Sequence, residues 1–213
     1  QPGRVLGKCG GYTSDIADGM IWASGGTVSG LPANATPARV INMSLGGGGA
    51  CDTTSQNAIN SARSRGTVVV VAAGNENQNA SNSRPANCSG VIAVAATDRN
   101  GSRAYYSNYG AIVALAAPGG DMRSSSSNGI LSTLNAGTTS PGADAYAYYQ
   151  GTSMATPHVA GVVALMLSAK PGATPDQVKA ALQSSARAFP GSCSQCGSGI
   201  LDAAHWSSVC AQL

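Results

Sequence analysis

A chain of 213 residues has room for one domain with a real core and little room for two. With 43% hydrophobic and 10% charged residues it is too apolar and too weakly charged for a disordered chain, and its 28 glycines and many small residues suit a tightly packed α/β protein. A net charge of +3 without any run of Lys or Arg gives no support to nucleic-acid binding, and no uninterrupted apolar run approaches the roughly 18 residues of a membrane span, so no membrane association is expected. No signal peptide is visible; any that existed is expected to have been removed.

In chain order, Arg4–Gly7 reads as the end of a strand with almost nothing before it. Thr13–Ser24 places Ile16, Met20 and Ala23 on one helical face. Val40–Leu45, Thr67–Ala73, Val91–Ala96 and Ala111–Ala116 are rich in Val, Ile and Ala without polar alternation, the pattern of strands buried on both faces of a parallel sheet. Asp52–Arg65 is a helix with a capping Asp that stops before Gly66. Ser124–Ser127 is a surface turn, and Ile130–Asn135 with Ala145–Gln150 reads as a hairpin. Met154–Leu167 is apolar almost all round and is expected to be a fully buried central helix, with Pro157 in its first turn and Pro171 preventing continuation. Thr174-Pro175-Asp176-Gln177 is a capping box opening one more helix. Neither an internal repeat nor a linker divides the chain.

The six cysteines are Cys9, Cys51, Cys88, Cys193, Cys196 and Cys210, and with few charges they point to an oxidising, extracellular setting. Cys193 and Cys196 form the only CxxC; without a second pair or histidines at ligand spacing it argues against zinc and for a local disulfide. A Cys9–Cys51 bridge is expected because each follows a predicted strand, leaving Cys88 and Cys210 free.

The stretch Gly151–Gly161, GTSMATPHVAG, places Ser153 at the start of a helix, where unpaired N–H groups and the helix dipole stabilise negative charge. Such a serine is a candidate nucleophile for acyl transfer, its own N–H one oxyanion donor. Asn75, at the C-terminal end of the strand Thr67–Ala73, is the candidate second donor. Taken singly, Ser153 reads as a helix cap and Asn75 as a turn residue. Of the two histidines, His158 lies about 140° around and about 7.5 Å along the helix from Ser153, so it reads as a packed structural residue. His205 falls in an apparent surface helix. The residues thus offer a nucleophile and oxyanion donors without a general base.

GTSMATPHVAG closely resembles the nucleophile motif of the subtilisin-like serine proteases, the subtilases. VINMSLGGG (Val40–Gly48) resembles their substrate-binding strand and VVVVAAGNEN (Val68–Asn77) their oxyanion segment, while RVLGKCGG, SNYG and AAPGG match further landmarks in the same order. The resemblance implies a three-layer α/β fold with a mostly parallel central sheet flanked by helices, and a secreted endopeptidase acting on proteins or peptides through an acyl-enzyme. Ser153 maps to the nucleophile and Asn75 to the oxyanion amide. The family's Asp segment and its HGTH-like segment are absent here and belong upstream of RVLG. Residues 1–213 are therefore expected to be the C-terminal two-thirds of one catalytic domain, with a complementary N-terminal fragment supplying the catalytic Asp and His. The chain could be one piece of a nicked or split enzyme, an incomplete stretch of a longer protein, or a natural pseudoenzyme; the non-enzyme alternative is an inactive scaffold that binds extended peptides.

The resemblance also implies a first specificity pocket between Ser44-Leu45-Gly46 and Ala72-Ala73-Gly74, with Thr152 beside the nucleophile and Ser83 at the floor. Gly10, Gly11 and Tyr12 would form an edge strand pairing with an extended substrate. The glycines Gly46–Gly49 lack the GK[ST] or GxGxxG spacing of a phosphate cradle. Calcium is implied for the complete enzyme, without an assigned ligand set; Asp98 and Asp121 are the carboxylates that remain to serve.

Overall fold

The computed structural model describes residues 2–7 and 9–205. Its elements are α1 (Thr13–Ala23), β1 (Val40–Met43), β2 (Gly47–Gly48), α2 (Thr53–Ser64), β3 (Val68–Ala72), β4 (Ser83–Arg84), β5 (Ile92–Thr97), β6 (Val113–Pro118), β7 (Ile130–Asn135), β8 (Asp144–Tyr149), α3 (Thr152–Ala169) and α4 (Pro175–Ser185). β1, β3, β5 and β6 form a parallel sheet in that order. β3 and β5 are buried along their whole length, so neither needs polar alternation.

Successive strand residues point to opposite faces and build two cores. Val68, Val70, Ile92 and Val94 pack with Val159, Val163 and Met166 of α3 and Val178 and Leu182 of α4. Val69, Val71 and Ala93 pack with Ala17 and Met20 of α1 and Ala58, Ile59 and Ala62 of α2. The result is three layers, helices on both faces of the sheet. Each Val, Ile or Met buried this way contributes about 1.5–3 kcal/mol relative to leaving it in water. β7 and β8 form the expected hairpin, which leads through Gln150 and Gly151 into α3. The capping box of α4 is formed in both directions, Gln177 N–H donating to Thr174 and Thr174 N–H to the Gln177 side chain.

Several expectations are corrected. Arg4–Gly7 is not a strand: Gly7 pairs with Gly10 in an isolated bridge, closing the backbone on itself instead of joining the sheet. Gly10–Tyr12 is not paired as a strand either: Gly10 enters the bridge to Gly7, and Tyr12 stands extended at the N-cap position of α1 without a side-chain cap bond. Cys51 bonds Cys88, not Cys9, while Cys193–Cys196 is formed as expected. Cys51 directly precedes α2, and the turn holding Cys88 is drawn to the same helix by Gln56, which bonds the backbone of Ser89. Cys9 is an exposed free thiol, and Cys210 lies outside the described residues. α3 is long and apolar enough to cross a membrane, yet it lies on the sheet with one side exposed: Pro157, His158, Gly161, Ala164, Leu165 and Ser168 face outward. His158 is therefore exposed and not packed, and His205 lies in a turn whose N–H groups bond Asp202, not in a helix.

Candidate active site

β3 ends in the core and delivers Ala73, Gly74 and Asn75 to the sheet's C-terminal edge. α3 begins at that edge. Its N-cap, Gly151, has φ +149°, a conformation that glycine adopts without strain, and has no side chain to cap the helix. Gly151 is itself held, its N–H donating to Gly119 O at 3.0 Å. The Tyr106 hydroxyl, with one hydrogen to share, lies 2.9 and 2.7 Å from Gly119 O and Gly120 O, and burial pushes this phenol above its ordinary value, keeping it a donor.

The two segments are locked through Asn75 and Thr152. Asn75 Oδ1 accepts from the Thr152 N–H and the Thr152 hydroxyl, both at 2.9 Å. Because a backbone N–H only donates, the atom facing it is the amide oxygen, and Nδ2 is turned the other way. Nδ2 has no acceptor among the described residues, and neither has the Ser153 N–H. Thr152 Oγ1 also receives the Gly74 N–H at 3.2 Å. Ser153 and Ser44 bond reciprocally: Ser44 Oγ donates to Ser153 O at 2.8 Å, and Ser153 Oγ reaches Ser44 O at 3.4 Å.

Asn75, Thr152 and Ser153 line one cavity of about 240 Å³ with Leu45, Gly46, Ala72, Gly74 and Ser83. Ser83 is buried in its wall. Ser44 touches this site only through its bonds to Ser153, and Ala73 is fully buried behind it. Gly10 and Gly11 line a separate neighbouring cavity of about 270 Å³ that shares Leu45, Gly46, Gly47 and Arg84 with the first. Tyr12 stands on neither and is 79% exposed. The glycines Gly47–Gly48 pair antiparallel with Ser83–Arg84, so they shape the pocket wall. His158 Nδ1 bonds Met154 O on its own helix at 2.8 Å. Glu76, Arg84 and Asn108 were missed from the sequence as neighbours of this site; Asn108 stands in the SNYG motif, but nothing in its spacing ties it to Asn75.

The sequence profile described as the Subtilase family matches residues 2–199. The chain belongs to the subtilase family. It is 63% identical over 204 residues to an extracellular protease of Xanthomonas campestris, covering 95% of this chain and 34% of that protein. It is 48% identical over 207 residues to an extracellular basic protease of Dichelobacter nodosus, covering 95% of this chain and 33% of that protein. A solved protease from Pseudoalteromonas arctica superposes with a TM-score of 0.95 at 62% identity, covering 97% of this chain and 61% of that one. The subtilase chain thus spans about a third of the length of these curated relatives, and its three-layer α/β fold is the subtilisin-like one.

The carboxylates left for calcium do not fit a cation. Both oxygens of Asp121 are taken by the Arg123 guanidinium, which holds its carboxyl below the usual carboxylate range. Asp98 Oδ1 accepts from the N–H groups of Asn100 and Ser102, and the cavity that Asp98 and Asp121 share is also lined by Arg99 and Arg123. Among the described residues no three His, Cys, Asp or Glu side chains form a group that could hold a metal.

Proposed function

We propose that this subtilase chain carries the nucleophile and oxyanion donors of a secreted serine endopeptidase, as the C-terminal two-thirds of one catalytic domain. The observation that carries the reading is the pair of unengaged donors, Asn75 Nδ2 and the Ser153 N–H, on the cavity that Ser153 lines. Ser153 Oγ attacks the peptide carbonyl, and its proton passes to a histidine, oriented by an aspartate, on a complementary N-terminal segment outside this chain. The developing oxyanion takes hydrogen bonds from Asn75 Nδ2 and the Ser153 N–H. Collapse of the intermediate expels the amine with that proton, and water then releases the acyl group from Ser153. The cavity beside Ser153, walled by Leu45, Ala72 and glycine backbone together with Ser83, Glu76 and Arg84, takes the side chain preceding the scissile bond. The extracellular names of the relatives and the two disulfides support secretion.

One observation favours the other reading, an inactive scaffold for extended peptides: the Ser153 hydroxyl meets only the Ser44 carbonyl, and no described residue is placed to take its proton. Labelling with a fluorophosphonate separates the two. The full-length protein is expected to label at Ser153 and to lose labelling in Ser153→Ala, while the 213-residue chain alone stays unlabelled. A full-length protein that does not label supports the scaffold.

A further inference from the structure

Asn108 is 0% exposed, and an amide of that size is buried only where both its ends are satisfied. Its Oδ1 accepts from the N–H groups of Glu76 and Gln78 at 3.1 and 3.0 Å. Its Nδ2 lies within hydrogen-bond distance of Ala73 O, Glu76 Oε2 and Ser83 Oγ at 2.9, 2.7 and 2.9 Å. Its backbone N–H donates to Gly74 O at 3.0 Å. Every one of these partners belongs to the turn Ala73–Gln78, which carries Asn75, or to Ser83 in the wall of the cavity. The carboxylate of Glu76 passes the restraint on, since Oε2 also accepts the N–H of Asn75 at 2.9 Å. Gly74 completes the fit. It has φ +105°, and a Cβ there would run into the Asn108 amide and stand 2.6 Å from Glu76 Oε2.

We propose that Asn108, acting through Glu76, is the positioning residue that sets the backbone of Asn75 and so aims its Nδ2 at the reacting carbonyl. Thr152 fixes the side chain of Asn75 from one side, and Asn108 and Glu76 fix its main chain from the other. Asn108 does not line the cavity, so it acts on the reaction only through the turn. The requirement is for an amide: its oxygen end receives two N–H groups while its nitrogen end supplies hydrogens to a carbonyl and a carboxylate. An aspartate of the same shape would set an anion against Glu76 and Ala73 O, and an alanine would leave two N–H groups and a carbonyl unpaired in the interior. This role rests on the proteolytic reading above.

The test is steady-state hydrolysis of a peptide substrate by the full-length protein, with Asn108→Ala, Asn75→Ala and the double variant. Asn108→Ala is expected to lower kcat about 10- to 100-fold with KM changed less than about threefold, the cost of an oxyanion donor displaced by a fraction of its reach. In the Asn75→Ala background the same change is expected to cost less than about threefold further, because the donor it aims is already gone. Glu76 is exposed and lines the cavity, so its variants carry the same test through kcat, with KM free to change, should Asn108→Ala not fold. Glu76→Ala is expected to lower kcat as Asn108→Ala does, and Glu76→Gln, which keeps an accepting oxygen, to restore most of kcat. Equal losses in both backgrounds, or an unchanged kcat, overturn the positioning role and leave the proteolytic reading standing. If Ser153→Ala itself does not lower turnover, the proteolytic reading fails, and this role fails with it.

Discussion

α2 and α3 pack on opposite faces of β3 and are built in opposite ways. α2, TTSQNAINSARS, is polar, buries only Ser55, Ala58, Ile59 and Ala62, and has its start secured by polar and covalent ties. Asp52 caps it by accepting the Ser55 N–H at 2.8 Å, and the neighbouring Cys51 is bonded to Cys88. α3, TSMATPHVAGVVALMLSA, buries eight residues and has no cap from its own N-cap residue, Gly151. Every helix begins with donors that its own turns cannot satisfy. α2 satisfies one of its own at the cap. α3 passes one to Asn75 from the next segment and leaves the Ser153 N–H open toward a cavity. A helix held by apolar packing can leave its N-terminal donors unpaired at a cavity, whereas a helix with so small a core relies on its cap and disulfide.

The sharpest way to break this contrast is to give α3 the cap that α2 has. In Gly151→Asp the new Cβ would stand 3.6 Å from the Ser153 nitrogen and 3.7 and 3.8 Å from Asn75 Oδ1 and Nδ2. Its carboxylate would occupy both donors. The expected loss is about 10²–10³ in kcat, the range established for removing the oxyanion amide of a subtilisin. The positive φ adds about 1–3 kcal/mol of strain. Gly151→Ala carries that strain without the acceptor and is expected to lose much less turnover. Equal turnover in the two variants, measured alongside circular dichroism, would mean that the open donors take no part in the chemistry.

A second comparison tests what holds α3. Met166 is fully buried on its inner side, and Met166→Ala is expected to cost about 2–5 kcal/mol in denaturant unfolding. Leu165, its neighbour, is 54% exposed, and Leu165→Ala in the 213-residue chain is expected to stay within about 0.5 kcal/mol. A loss at Leu165 in the full-length protein that approaches the loss at Met166 would report a further segment lying on that face.

These contrasts also mark what the sequence could convey. The four sheet strands were legible because burial on both faces removes polar alternation, and α2 and α4 because Asp52 and Thr174 are chemically obvious caps. Asn75 could be placed at the C-terminal edge of the parallel sheet from the strand before it, whereas its meeting with Ser153 was implied by the resemblance to the subtilases. The exposed side of α3 was not legible: an apolar pattern all round states what a helix is made of and not what lies against it. Nor was the Gly47–Gly48 ladder with Ser83–Arg84, since glycines carry no strand signal and the partner is far along the chain. The pairing of Cys51 with Cys88 goes with the bonds between Gln56 and Ser89 that hold the 85–89 turn against α2, side-chain contacts that spacing does not encode. Asn108 illustrates the same limit, for its effect on Asn75 runs through hydrogen bonds across more than thirty residues.

The smallest effect concerns the charge on the α2 cap. The Ser55 N–H holds the Asp52 carboxyl below the usual carboxylate range; partial burial opposes this, while the Ser55 hydroxyl at 2.9 Å and Arg84 at 3.4 Å reinforce it. A carboxyl lowered by folding contributes stability that is present above its unfolded value, about pH 4, and is lost as pH falls through the lower folded value. Asp52→Asn keeps an accepting oxygen at the cap and removes the titration. At pH 7 the native protein is expected to exceed this variant by under about 1 kcal/mol, the worth of a negative charge at a helix start, or about 2 °C in Tm. The difference should close progressively as pH falls below about 4, in thermal unfolding followed by circular dichroism. Asp121 and Asp202, also lowered, titrate alike in both proteins and drop out of the difference. A gap that stays constant over that fall in pH would show that Asp52 holds α2 as a neutral acceptor would, leaving hydrogen bonding and the disulfide as the whole of its N-terminal anchorage.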